Sequence, residues 1–325
     1  MSAASHRADA DRVAATLLSA HGEDTRGAVR GRGWTNATWL GTAVVARVSR
    51  VPGADDLLRE ARLVERLPTE IGHPRVLATG VEDGHAWVLT RRVDAVSLDA
   101  VWPTLDDAER ARAVEQLWER AGWLHRTDTA AVAPHVRRRS PFFAQTPDEA
   151  ARSVEVLTAA GALTRDDAAG LGQVLDRYWL ALPTARAVLV HGDLCPLNAL
   201  WRDGEVVGLL DLEFALLAPA AVDLNELAKA AFAPARRAGD LERRAVARIA
   251  RTSLSEAGGE DVLLGYAALL ELWTLGRVLA EGPDGDEDDR AVATEVLHGL
   301  ARGDGGCYRP LLSWRRVWRV RSRGV

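Results

Sequence analysis

The pattern of apolar residues changes period near Val93, and this constrains the fold more than any other feature of the chain. Upstream, "GAVRGRGWTNATWLGTAVVARVSR" (27–50) alternates and is broken by glycines, which predicts a β-hairpin turning near Gly41 and Thr42. A helix over Ala8–Ala20 precedes it. A second helix follows from Asp55 or Asp56 to about Leu67, with Leu57, Ala61, Val64 and Leu67 inward and an aspartate as cap. Then "RVLATGVEDGHAWVLTRRV" (75–93) reads as two strands around an Asp83-Gly84 turn. Downstream the period becomes 3.6. "TLDDAERARAVEQLWERAGWLH" (104–125) is helical, with Thr104 as cap and acids in its first turn, where the helix dipole favours them. Further helices are expected over Asp148–Ala160 and Thr164–Leu182 and through most of the chain after Asp223. A strand from about Ala187 and a hairpin "ALWRDGEVVGLLDLEF" (199–214), turning at Asp203-Gly204, interrupt them. The sum is an α+β protein: a β-rich part over residues 1–93 and a mainly helical part over 94–325.

With 325 residues, 47% of them hydrophobic and 27% charged, the chain can bury sizeable cores. A formal net charge of -5 argues against a nucleic-acid partner. Two cysteines, Cys195 and Cys307, make no zinc site, and a reducing cytoplasm is the expected compartment. The N-terminal residues are charged and lack a signal-peptide core. No run of about 18 uninterrupted apolar residues occurs, so no membrane span is expected. Lys229 is the only lysine, so any other task for a cation falls to arginine.

Chemistry concentrates after the strand at Ala187. In "HGDLCPLNALW" (191–201), His191-x-Asp193-x-x-x-x-Asn198 has the spacing of a kinase-type catalytic loop, in which the Asp orients a substrate hydroxyl and the Asn binds magnesium. Asp211 ends the apolar strand "VVGLLD". There its carboxylate would sit across the hairpin from Asn198, and two hard oxygens would serve one Mg2+. "GRGWTN" (31–36) offers Gly31, Gly33, Thr35 and Asn36 as a turn whose backbone N–H groups approach phosphate, or else glycines that merely turn a hairpin. Lacking the third glycine of a dinucleotide fingerprint, and followed by a strand, it does not read as one.

"HGDLCPLNALW" followed by "GLLDLEFALLAPAAVDLNELA" (208–228) resembles the aminoglycoside phosphotransferase family of protein-kinase-like small-molecule kinases. The resemblance covers about residues 27–230. It implies a bilobal fold, with a small antiparallel-sheet nucleotide lobe (1–93) and a larger helical catalytic and substrate lobe (94–325), binding ATP or GTP with Mg2+. It makes Asp193 the catalytic residue and Asn198 and Asp211 the metal ligands. Arg47 stands at the strand position of a phosphate-binding lysine, and Glu60 stands as its helix partner, although Glu65 lies on the same segment. Arg91 and Val93, in "WVLTRRV" (87–93), would supply backbone to the adenine edge. Asp223 matches an Asp before an apolar helix, His191 a loop-holding histidine and His125 a packing histidine, while Glu213 would reach a second metal or orient Asp211.

The reaction implied is phosphorylation of a small-molecule hydroxyl. The acceptor would be an antibiotic of aminoglycoside, basic peptide or nucleoside type, as in self-resistance, and a cationic one would suit acids in the pocket. A metabolic kinase acting on a sugar, amino alcohol or nucleoside is the alternative, and a nucleotide-binding module without turnover is a third reading, raised by Arg47 in the lysine position. No nucleic acid or membrane partner is expected. The acidic run 284–289 reads as a solvated loop, Arg137 to Arg139 as surface arginines, and Trp314 and Trp318 as packing on the helical lobe.

Overall fold

The structure, a computed structural model, describes residues 3–31, 35–233, 238–282 and 285–312. Gly33, Asp284, Trp314 and Trp318 lie outside the described residues. The chain forms two compact units, one comprising residues 1–103, 126–137 and 196–215, the other 104–125, 138–195 and 216–325.

The first unit is built on an antiparallel sheet of five strands, β1 (Val29–Arg30), β2 (Asn36–Leu40), β3 (Val44–Ser49), β4 (Val76–Glu82) and β5 (His85–Arg91), in the order β1-β2-β3-β5-β4. Strand periodicity sends alternate side chains to opposite faces. Ala46 and Val48 of β3, with Ala37 and Leu89, pack against Ala10, Val13, Ala14 and Leu17 of helix α1 (Ala3–Ala20). Val88 faces the other way, onto Leu57 and Ala61 of α2 (Asp56–Val64). Arg47 pairs with Val88 across β3 and β5, so it too lies on the α2 face.

Helix α2 is shorter than expected. Leu63 and Glu60 replace Val64 and Leu67 on its buried side, and Asp55 makes no side-chain cap bond. The turn at Asp83 and Gly84 has positive φ at both residues, as a two-residue hairpin requires.

The same unit holds β6 (Val96–Ser97), the short helices α3 (Leu98–Val101) and α5 (Thr129–Val132), and the hairpin β8 (Ala199–Arg202)–β9 (Glu205–Leu209), which turns at Asp203-Gly204. The hairpin docks backbone to backbone on the turn after residues 69–71. A Cβ on Gly72 would meet Val207 O, and one on Gly208 would meet Gly72 O.

The second unit is helical: α4 (Asp107–His125), α6 (Pro147–Ala159), α7 (Arg165–Ala181), α8 (Ala221–Phe232), α9 (Asp240–Ser253), α10 (Glu260–Glu281) and α11 (Glu287–Ala301), with β7 (Val188–Val190) paired antiparallel to β10 (Leu216–Ala218). Asp106, rather than Thr104, caps α4: Glu109 N–H donates to Asp106 Oδ1 at 2.8 Å while Asp106 N–H donates to Glu109 Oε2 at 2.9 Å. Helix α10 is long and apolar enough to cross a membrane, but it is the buried core helix of this unit, packed by α7, α8 and α11.

The acidic run near 284–289 is not simply a loop. Asp286 accepts N–H bonds from Asp288 and Asp289 and caps α11. Arg137 is not a free surface residue either: its Nη2 lies 2.9 Å from Asp56 Oδ1, and its Nε donates to Glu213 O at 2.8 Å. Cys195 and Cys307 are not joined in a disulfide.

Candidate functional site

Residues selected from the sequence gather in two places, one in each unit. In the first unit, Arg47 is partly buried under α2, its side chain 17% exposed, and shared between two carboxylates. Its Nη1 donates to Glu60 Oε2 at 2.7 Å and its Nη2 to Asp211 Oδ1 at 2.6 Å. Burial opposes charge on Arg47, but Glu60, Asp211 and Glu213 together outweigh it and raise its pKa. Burial likewise works against charge on Glu60, and the Arg47 guanidinium overrides it, holding the carboxyl below its usual range. Glu60 also accepts the Leu212 N–H at 3.0 Å and lies 3.5 Å from His73 Nε2. Glu65 is exposed beside Arg66. Glu60 is thus the acid that meets Arg47, because its position three after Leu57 points it at the sheet.

Asp211 follows β9 in the left-handed region, φ 59°. That conformation is uncommon for a residue with a side chain and recurs where function over-determines the backbone. Its side chain keeps 32% of its surface open, whereas Glu60 is sealed. Asn198 is buried, and its carbonyl accepts the Leu210 N–H at 2.8 Å, so the main chains bearing Asn198 and Asp211 run side by side. Carboxylate and amide oxygens are the donor set a small hard cation takes.

Thr35 Oγ1 and Asn36 Nδ2 donate to the two oxygens of Glu213, at 2.6 and 2.9 Å. Burial, reinforced by Asp211, pushes the Glu213 carboxyl up to about 7. The side chains of Thr35 and Asn36 are therefore committed to Glu213. Gly31 closes β1 by donating to Thr38 O at 2.8 Å. At the end of β5, the Arg91 N–H donates to Arg75 O and the Val93 carbonyl accepts the Ala95 N–H, both at 2.9 Å.

In the second unit, the loop after β7 is held from beneath by Asp223 of α8. This fully buried carboxylate accepts the His191 N–H on Oδ2 and the Gly192 N–H on Oδ1, each at 3.0 Å, while His125 Nε2 lies 2.9 Å from Oδ2. Burial works against its charge, but the His125 contact, followed by the His191 ring and N–H, holds its pKa down. Gly192 turns the loop at φ 82°, a conformation that favours glycine. The Asp193 N–H then donates to His191 Nδ1 at 3.3 Å. His125 is accordingly a hydrogen-bonding partner of Asp223, not simple packing.

On the next turns of α8, Lys229 lies 2.7 Å from Glu271 Oε1. Burial pushes the neighbouring Glu226 carboxyl up to about 8; Lys229 opposes this, and Asp193 and Glu271 add to it. The chain passes from the second unit to the first between Cys195 and Pro196, inside the loop that carries Asp193 and Asn198.

Sequence reasoning missed His73, Arg59 and Arg137. Arg59 Nη2 and Arg137 Nε both donate to Glu213 O, at 3.0 and 2.8 Å. An Asp56–Arg59 spacing of three was a local signal for the first. The second spans 76 residues and had none.

The sequence model of the phosphotransferase enzyme family matches residues 27–266. Among curated proteins, an aminoglycoside 3'-phosphotransferase of Streptomyces ribosidificus is 32% identical over 159 residues, covering 47% of this chain and 57% of that protein. Its counterpart from Streptomyces fradiae is 34% identical over 165 residues, covering 49% and 59%. The chain thus matches less than two thirds of the length of these relatives.

Among solved structures, the GDP complex of wild-type aminoglycoside 2'-phosphotransferase-IIIa has a TM-score of 0.63 at 18% identity, covering 89% of this chain and 97% of that one. A thermostable mutant of aminoglycoside phosphotransferase APH(4)-Ia, in ternary complex with ADP and hygromycin B, has a TM-score of 0.62 at 19% identity, covering 90% and 99%. At these identities the likeness is one of fold, and it bears out the α+β, protein-kinase-like architecture expected from the sequence.

Proposed function

The chain belongs to the phosphotransferase enzyme family, and from that membership we propose that it transfers the γ-phosphoryl group of ATP or GTP to a hydroxyl of a small molecule, an aminoglycoside antibiotic. In this reading residues 1–93 are the nucleotide lobe and 94–325 the catalytic and substrate lobe. The observation that carries it is the shared arginine. A partly buried Arg47, fixed by Glu60 and reaching a part-open Asp211, is a fork ready for phosphate oxygens in a chain whose only lysine is engaged elsewhere.

Arg47 holds the α and β phosphates. The Arg91 carbonyl and the Val93 N–H meet the adenine edge, since the Arg91 N–H and the Val93 carbonyl are already used within the fold. Gly31, Thr35 and Asn36, the last opening β2, would bring backbone to the phosphates. Asn198 and Asp211 would hold Mg2+, which supplies charge neutralisation to the phosphates when bound. Asp193 orients the acceptor hydroxyl and takes its proton as the oxygen attacks the γ-phosphorus and the bond to the β–γ bridging oxygen breaks, releasing the nucleoside diphosphate, on a loop that Asp223 keeps rigid.

The names of the curated relatives and the antibiotic-bound structural neighbours support an aminoglycoside as acceptor.

The test is to incubate the protein with Mg2+ and either nucleotide against a panel of aminoglycosides, sugars, amino alcohols and nucleosides, reading product masses. One added phosphate on an aminoglycoside is expected. Phosphate on a metabolite alone would make the protein a metabolic kinase, and nucleotide binding without any product would make it a binding module. Asp193→Ala should lower turnover by roughly 10²–10⁴-fold with an unchanged melting temperature. Full turnover in that variant overturns the assignment of Asp193.

A further inference from the structure

A second cluster of chemistry-bearing side chains lies in the first unit, on the α1 side of the sheet. His6 and Asp9 are three residues apart on α1 and so share a helix face. His85 is the first residue of β5, directly after the Asp83-Gly84 turn. One ligand atom from each of the three residues lies within 4.8 Å of the other two.

The hydrogen bonding around them is that of a waiting metal site. His85 is buried, and its Nδ1 lies 2.7 Å from Ser49 O. A carbonyl only accepts, so the proton sits on Nδ1 and the lone pair on Nε2. Metal-binding histidines are commonly fixed in this way by a backbone carbonyl. His6 Nδ1 is shielded from water and has no hydrogen-bond partner among the described residues. Burying an imidazole nitrogen without a partner is unfavourable, and an ion would remove that cost. The two rings are tilted by 59° with centroids 6.3 Å apart, so they do not stack on each other. Asp9 touches Arg12 through Oδ1 at a long 3.3 Å, a contact easily exchanged.

We propose that His6, Asp9 and His85 bind one zinc ion, which fastens helix α1 to the β4–β5 hairpin. Two imidazole nitrogens and one carboxylate oxygen suit zinc, with water as the fourth ligand, and do not suit magnesium or calcium. At Zn–N distances of about 2.0–2.1 Å, tetrahedral ligands stand roughly 3.3 Å apart, so the cluster must close by about 1.5 Å at most. His6 and Asp9, only partly buried, can supply that movement while His85 stays on Ser49.

The test uses the full-length chain without a histidine tag, loaded with zinc, dialysed exhaustively and analysed for metal content and thermal stability. One zinc per chain is expected. At saturating zinc the melting temperature should rise by roughly 5–10 °C. His6→Ala and Asp9→Ala, both at partly exposed positions, should each lose the zinc and the thermal shift while keeping the metal-free melting temperature. Asp211→Asn should keep both, which separates this site from the nucleotide site. Co2+ loaded in place of zinc should show the visible absorption of a tetrahedral site in the parent protein and not in the two helix variants. The proposal is overturned if dialysed protein holds no zinc, if zinc persists in both helix variants, or if it is lost only in Asp211→Asn.

Discussion

Arg47 illustrates how one side chain links stability to the proposed chemistry. Removing its charge leaves Glu60 sealed beneath α2 without its main counter-ion, an expensive situation in a low-dielectric interior. Arg47→Met should therefore destabilise the protein by about 3–5 kcal/mol in denaturant titration, and adding Glu60→Met should restore most of it. If the single variant is as stable as the parent, the pair does not hold the sheet to α2. Asp223 acts differently, since its two oxygens are already consumed by backbone N–H groups and His125. Asp223→Asn presents an N–H₂ to one of those donors and displaces the loop that carries Asp193. Turnover is expected to fall on the order of 10²-fold, with little change in nucleotide KM. Equal losses in kcat and nucleotide affinity would instead point to general unfolding.

At the scale of elements, the β8–β9 hairpin depends on having no side chain where it crosses the turn after residues 69–71. The atoms that a Cβ on Gly208 would meet belong to the backbone of Gly72, so no rotamer change can relieve the clash. Gly208→Ala should cost about 1–3 kcal/mol by overpacking, read in thermal or chemical unfolding, and should weaken nucleotide binding, because Asn198 and Asp211 flank that hairpin. Unchanged stability would mean that the hairpin is not seated on this turn. These elements were largely legible in the sequence. Turn pairs such as Asp83-Gly84 and Asp203-Gly204 require positive φ at both residues, and few dipeptides tolerate that. Ends were less legible: α2 stops at Val64 and α4 is capped by Asp106, because the cap is decided by which side-chain oxygen reaches an N–H, and spacing alone does not specify that.

For the molecule as a whole, the acids around α8 set a pH dependence. Burial raises Glu226 to about 8, so between its ordinary range near 4.3 and that value the folded chain binds a proton the unfolded chain has released. Its contribution to stability is complete below about pH 4 and is lost as pH rises through about 8. Unfolding free energy measured from about pH 6 to about pH 9 should fall with pH, and Glu226→Gln should flatten that slope. An identical slope in the variant would remove Glu226 as its source.

The sequence by itself determined the two periodicities, the turn residues and the spacing of His191, Asp193, Asn198 and Asp211, because these follow from local sterics and from the chemistry each residue type can perform. Only the tertiary structure decided that Arg47 is shared by Glu60 and Asp211, that Asp223 lies under the His191 loop, that Arg137 braces Glu213 and that His6 and His85 come together. Those contacts span from 13 residues, for Arg47 and Glu60, to 164, for Arg47 and Asp211, and their energies depend on burial and on which groups the packing leaves to pair.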